Sequence, residues 1–225
     1  ILPYEWAYDF LLFCQRNPKP CPLLEATEVG SPLLHTLAAG ADLRTDIPRY
    51  RIYRHGELDR EATDISDLWQ DDFVGFLLGC SLSFEGALLD AGVPLRHLEQ
   101  NKVTVVYYTN IECEPAGRLH GPLAVSMRPI PGTLVSKAVD ITARYPRVHG
   151  APVHVGDPAA IGIADLEQPR FGEPLGFHAG DVPVFWACGV TPQAVAMASK
   201  PALMITHKAN HMFVTDRRAE ELSVP

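Results

Sequence analysis

The apolar positions of this chain change period several times, and each change marks an element. Trp6, Phe10 and Phe13 recur at helical spacing between Glu5 and Gln15, and prolines at 18, 20 and 22 end that helix. Pro22 to Pro48 reads as loop, with Gly30, Ser31, Pro32, Gly40 and Asp42 and a short helix expected around Leu33 to Ala39. Arg49 to Arg54 predicts a strand closed by the turn His55-Gly56-Glu57. Asp71 to Asp90 predicts a helix, a break at Cys80-Ser81-Leu82-Ser83 and a second helix, capped by Ser83 with Glu85 in its first turn. Val93 to Leu98 and Val103 to Asn110 are rich in strand-forming residues. From Arg118 to Arg128 a period of two places Arg118, His120, Ser126 and Arg128 on one face and Leu119, Leu123, Val125 and Met127 on the other.

Further on, Leu134, Ala138, Ile141 and Tyr145 keep helical spacing until Pro146. Two later passages share one pattern. Val153-His154-Val155 ends in Gly156 before Asp157-Pro158, and Val184 to Cys188 ends in Gly189 before Thr191-Pro192. A capping residue followed by proline signals a strand-to-helix junction. If 79–85 is a third junction, three helix starts could converge on one anion, as in α/β sheets that bind ligands at the carboxyl ends of strands. The tail reads as a strand through Ala202 to Ile205, then Thr206 to His211, then a short strand through Asp216. His207 and His211 stand four apart, but the glutamate of a metalloprotease helix is absent.

Composition narrows the function classes. With 225 residues and 47% hydrophobic content the chain can bury a large core. A net charge of −8 and dispersed arginines argue against a nucleic-acid or membrane-surface partner. No apolar run approaches bilayer length, and five cysteines without C-x-x-C spacing suit reduced thiols, so a soluble, cytoplasmic protein is expected. There is no internal repeat, G-x-G-x-x-G or P-loop.

The blocks G-C-S-L-S-F-E (79–85), R-L-H-G-P (118–122), S-M-R-P-I (126–130), V-H-G-A-P-V-H-V-G-D-P (148–158), G-I-A-D-L (162–166), V-F-W-A-C-G-V-T-P-Q (184–193), M-I-T-H (204–207) and H-M-F-V-T-D (211–216) together resemble the bacterial hydro-lyase family related to D-glutamate cyclase. The resemblance runs from Ile1 to about Arg217. It implies an α/β fold with a mixed sheet and helices, in which a three-layer part (1–99 and 181–225) holds a smaller two-layer insertion (100–180). It also implies elimination of water from a small carboxylic or amino acid, with D-glutamate to 5-oxo-D-proline as one candidate reaction.

Such chemistry needs a carboxylate clamp, a base and an acid for the departing oxygen. Arg118, Arg128 and Arg144 are the candidate clamp, since guanidinium pairs bidentately with carboxylate. His120 is the first candidate acid or base, followed by His154, Asp157 and Glu85. Between Arg118 and Arg128, His120 is expected to stay neutral and to gain basicity when a carboxylate binds. Cys80, Ser81, Ser83, Asn110, Ser126, His149, Cys188, Thr191 and Gln193 are candidate binding residues, and the blocks around 80–85, 118–128, 149–157 and 188–193 are expected to share one pocket. No cofactor is expected, with Mn²⁺ or Mg²⁺ as the divalent ion to test. A small carboxylate or amino acid is the expected partner, and a homo-oligomer is compatible with the sequence. Two alternatives stand beside the lyase: a non-catalytic carboxylate-binding module, and a hydrolase with Cys80 or Cys188 as nucleophile.

Overall fold

Residues 1–224 are described by a computed structural model with a mixed α/β architecture. In chain order the strands are β1 (Leu2–Pro3), β2 (Leu23–Ala26), β3 (Tyr50–Arg54), β4 (Glu57–Ala62), β5 (Phe73–Val74), β6 (Phe76–Leu78), β7 (Val105–Glu112), β8 (Pro122–Pro131), β9 (His154–Val155), β10 (Asp181–Ala187) and β11 (Met204–His207). The α-helices are α1 (Tyr4–Arg16), α2 (Glu85–Asp90), α3 (Arg96–Glu99), α4 (Val135–Ala143) and α5 (Thr191–Ser199). A four-stranded sheet runs β7-β8-β10-β9, a three-stranded one β11-β3-β4, and β1-β5 and β2-β6 form two-stranded ribbons.

Every strand pairing among the described residues is antiparallel. A carboxyl-edge crevice of the parallel-sheet kind therefore does not arise here. The organising strand is β8, flanked by β7 and β10 and buried at every position from Leu123 to Ile130. The alternation of polar and apolar residues expected across 118–128 does not become a wet face and a dry one. Both faces of a central strand are covered, so Ser126 and Arg128 are buried as completely as Val125 and Met127. Pairing of β8 with β10 runs from Pro131–Asp181 to Val125–Ala187, so one sheet joins residues on both sides of the boundary expected at 180.

Four apolar clusters pack around these sheets, the smallest formed by Val106, Ala124, Val190 and Ala209. The largest combines Phe10 and Phe13 of α1 with Val125, Met127 and Phe185. A second gathers Phe84, Leu88, Val148 and Trp186 beneath α4. The third surrounds Tyr50 and Ile52 of β3 with Leu34, Leu43 and Phe73.

Several local expectations yield to tertiary context. The helix expected over 71–79 is instead β5 and β6. Its apolar run is almost continuous, which fits either period, and Phe73 and Val74 find partners in Pro3 and Leu2. No helix forms around Leu33 to Ala39, because the Glu25 carboxylate accepts the backbone N–H groups of His35, Thr36 and Leu37 and holds them in a loop. Residues 96–99 become α3 rather than strand, and the expected final strand through Asp216 is absent, Asp216 N–H donating to the Leu37 carbonyl.

Candidate functional site

Arg128 is the most informative residue in the molecule. Its side chain is fully buried, with its guanidinium 5.2 Å from the Phe84 ring centroid and 5.4 Å from that of Trp186. Around its edge, Nε donates to Glu85 Oε1 at 2.8 Å and Nη2 to the same oxygen at 2.5 Å. Nη2 also donates to Ser81 Oγ, and Nη1 to Ser126 Oγ, each at 3.1 Å. A guanidinium has five N–H donors, so these four bonds leave one free. Arg128 is thus committed to Glu85 and cannot act as a free bidentate clamp. Its consequence for a ligand is indirect, because a serine oxygen that accepts from a cation has its own O–H turned elsewhere and polarised.

Glu85 completes the network. Burial favours its protonated form, but the Arg128 charge and a contact from His97 Nε2 at 3.3 Å outweigh burial and hold its carboxyl below the ordinary value. Ser83 does not cap α2. The chain enters through a 3-10 turn at Ser81–Phe84 with Cys80 in extended conformation before it, and no side chain caps either helix.

Ser81 and Ser126 open onto a cavity of about 180 Å³. Cys80, Cys188, Gly189, Val190 and Gln193 line it beside them, and so do Thr104, His207 and Asn210. Two chain segments thus meet here, the 3-10 turn after Gly79 and the start of α5. Glycine is required at position 79, where a Cβ would lie 2.0 Å from the Arg147 carbonyl oxygen, while the Gly79 oxygen stands 3.4 Å from the place of a Gly189 Cβ, an ordinary contact. Burial raises the Cys80 thiol and pushes Cys188 up to about 12, so both hold their protons at neutral pH, which disfavours either as a resting nucleophile. Thr191 is the first residue of α5 rather than its cap. Its hydroxyl donates to the Cys188 carbonyl at 2.8 Å and accepts the Ala124 N–H at 3.1 Å, tying α5 to β8. Gln193 is fixed by the Tyr53 hydroxyl and the His207 carbonyl.

His149 adjoins this junction. It is fully buried and held at φ +87°, a backbone conformation that costs a side-chain-bearing residue free energy. Nδ1 lies 2.6 Å from the Lys19 carbonyl, which assigns the proton to Nδ1 and leaves Nε2 with its lone pair. No hydrogen-bond partner reaches Nε2, 3.8 Å from where a Gly189 Cβ would stand. Burial first, and the Arg128 charge in addition, lower its pKa to about 4 against an opposing influence of the Lys19 and Gly79 carbonyls, so the imidazole is neutral above that pH. His207 is built alike, with Nδ1 2.7 Å from the Lys208 carbonyl and a pKa lowered chiefly by burial. The loop after β11 brings it to the cavity, a placement its pairing with His211 by sequence spacing did not suggest, although the block M-I-T-H contains it.

The structure thus brings Cys80, Ser81, Glu85, Ser126, Arg128, His149, Cys188, Thr191 and Gln193 together, and leaves the other candidates outside. Arg118 is exposed, stacked at 3.7 Å on Trp6 and bonded to Asp9. His120, the first candidate base, is exposed in the turn before β8, where its backbone exchanges hydrogen bonds with the Ser199 hydroxyl. It lies outside the Arg128 network, so the carboxylate-coupled titration expected for it has no basis. His154 Nε2 lies 2.7 Å from the Asp157 carbonyl, and Asp157 caps the 3-10 turn that follows, so the junction at 153–158 serves its own turn. Asn110 packs on Gly162, Arg144 is exposed, and half-buried Ser83 is not among the cavity residues.

A mixed α/β fold with hydroxyls, thiols and the His207 imidazole edging a cavity defines the kind of protein this is. The chain belongs to the D-glutamate cyclase family, whose profile matches residues 74–216. It is 63% identical over 223 residues to a Thermoanaerobacter sp. (strain X514) protein named "Putative hydro-lyase", covering 99% of this chain and 84% of that one. Similar relatives bearing that name occur in Stutzerimonas stutzeri (62% identical, covering 100% of this chain and 84% of the relative) and Bacillus subtilis (56%, covering 100% and 87%).

Proposed function

We propose that this chain is a hydro-lyase that removes water from a carboxylic acid held at the polar end of the cavity. The observation that carries the reading is the Arg128-polarised pair of serine hydroxyls at the cavity wall, where Gly189 also stands, with the unpartnered Nε2 of buried His149 lying 3.8 Å from the place of a Gly189 Cβ. Ser81 and Ser126 donate to the substrate carboxylate through the hydroxyl protons that their bonds from Arg128 leave free. Such donors stabilise the extra charge that develops on a carboxylate when its α-carbon loses a proton. His149 is the base, a neutral acceptor whose proton affinity rises when an anion binds nearby. For a β-hydroxy acid, the α-proton goes to the base, the C–O bond to the hydroxyl breaks, a carbon–carbon double bond forms, and hydroxide leaves as water with a proton from the site.

The family description supports a second reaction at the same groups. In D-glutamate the amine would attack the γ-carboxyl carbon, forming the lactam C–N bond of 5-oxo-D-proline, while both protons shed by the ammonium leave on the departing oxygen as water. Incubation with 3-hydroxy acids and with D-glutamate, read by chromatography of the alkenoate or lactam, tests the reading. Turnover that falls on the order of 100-fold in Ser126→Ala is expected, the usual size of one lost donor. Unchanged turnover in that variant, or no product from any of these acids, would overturn it.

A further inference from the structure

The cavity limits what can accompany the carboxylate. Among the described residues that line it there is no Asp, Glu, Lys or Arg. Beyond the serines the wall carries uncharged polar groups at Thr104, Gln193, His207 and Asn210, and most of it is built from apolar side chains such as Leu43, Leu77, Phe76, Met204 and Phe213. The Arg128 guanidinium that holds the serines is already neutralised by Glu85. An ammonium or a second carboxylate carried into this space would lose its hydration without meeting an opposite charge, the costliest kind of burial. An apolar chain would meet a matching wall. A cavity of roughly 150 Å³ holds a benzene ring, so one of about 180 Å³ suits a chain of five or six carbons.

We infer that the site selects a monocarboxylic acid with an uncharged, apolar tail, over a dicarboxylic acid or a free amino acid. The inference rests on the proposed carboxylate-binding role of the serine end and adds to it the class of substrate. It makes a 3-hydroxy monocarboxylate of medium chain length the acid to be dehydrated and orders the candidate reactions, with D-glutamate as the weaker fit because it carries two carboxylates and an ammonium.

Calorimetric titration with acetate, butyrate, hexanoate, adipate and D-glutamate tests it, since binding requires no knowledge of the reaction. Affinity should rise about fourfold per added methylene from acetate to hexanoate. Adipate, of the same carbon count but doubly charged, should bind at least tenfold more weakly than hexanoate, and so should D-glutamate. Leu77→Trp, at a half-buried wall position, should cost hexanoate more than acetate, while Ser126→Ala should weaken every acid alike. Adipate or D-glutamate binding as tightly as hexanoate, or a flat chain-length series that still responds to Ser126→Ala, would overturn the tail inference and leave the head group standing. Chain-length dependence that ignores Ser126→Ala would overturn the carboxylate end instead, and no binding of any acid would overturn both.

Discussion

Arg128 and Glu85 show how much one buried pair can be asked to do. The carboxylate answers the guanidinium, the guanidinium orders two serines, and two aromatic rings lie against the guanidinium. Removing one partner of a buried ion pair leaves the other charge uncompensated, at a cost of roughly 3 kcal/mol. Glu85→Gln should therefore destabilise the fold by about that amount in urea denaturation, and adding Arg128→Met should recover part of the loss because the orphaned charge goes too. A double variant no more stable than Glu85→Gln alone would show that the pair is not the source. Arg128→Lys should retain charge but lose the fork that reaches both serines, so activity should fall far more than stability.

At the scale of elements, the site exists because the chain at Gly79 packs tightly on residues 147–148 and meets the start of α5 at ordinary contact distance. Gly79 admits no side chain, with the Arg147 carbonyl 2.0 Å from any Cβ, whereas Gly86, seven residues on in α2, faces open space. Gly79→Ala should lower stability by about 2 kcal/mol or more, since backbone must shift. Gly86→Ala should raise it by about 0.5–1 kcal/mol, through the lower helix propensity of glycine. Thermal unfolding of the two variants side by side checks the contrast, and equal effects would contradict the packing described. The sequence marks both glycines equally. What separates them is the approach of a distant segment, residues 147–149, to one and not the other.

The whole molecule carries the acid–base signature of its buried histidines. Unfolded His149 takes up a proton below about pH 6.5, whereas in the folded protein it does so only near pH 4. Within that window the unfolded state binds more protons, so stability falls as pH drops from 6.5 towards 4, by up to about 1.4 kcal/mol per pH unit for each such group. Glu85 contributes in the same direction at lower pH, since the stability its depressed pKa confers is lost as the pH falls through its folded value. Urea unfolding at pH 7 and pH 4.5 should show the slope, and His149→Asn, which tolerates positive φ, should flatten it. An unaltered slope in that variant would place the linkage on other groups.

Much of the architecture was legible along the chain. Helical spacing in 5–15 and 134–145, strand-forming runs at 49–54, 103–110 and 184–188, and the proline-marked starts at 158 and 192 all appear as elements with ends shifted by a few residues, because local periodicity and capping are short-range physics. The ordered blocks also carried the family. The residues that meet at the cavity were partly legible, since 79–85, 126–128 and 188–193 were all singled out. Sequence could not tell that His120 and Arg118 precede β8 and face solvent while Arg128, on the same nominal face, is buried and already paired with Glu85. Nor could it tell that His149, rather than His154, stands with a free nitrogen inside. Both questions turn on which distant segment covers a given side chain. Burial and charge pairing are properties of contacts between residues 43 apart, as Glu85 and Arg128 are, and a period of two or 3.6 residues carries no information about them.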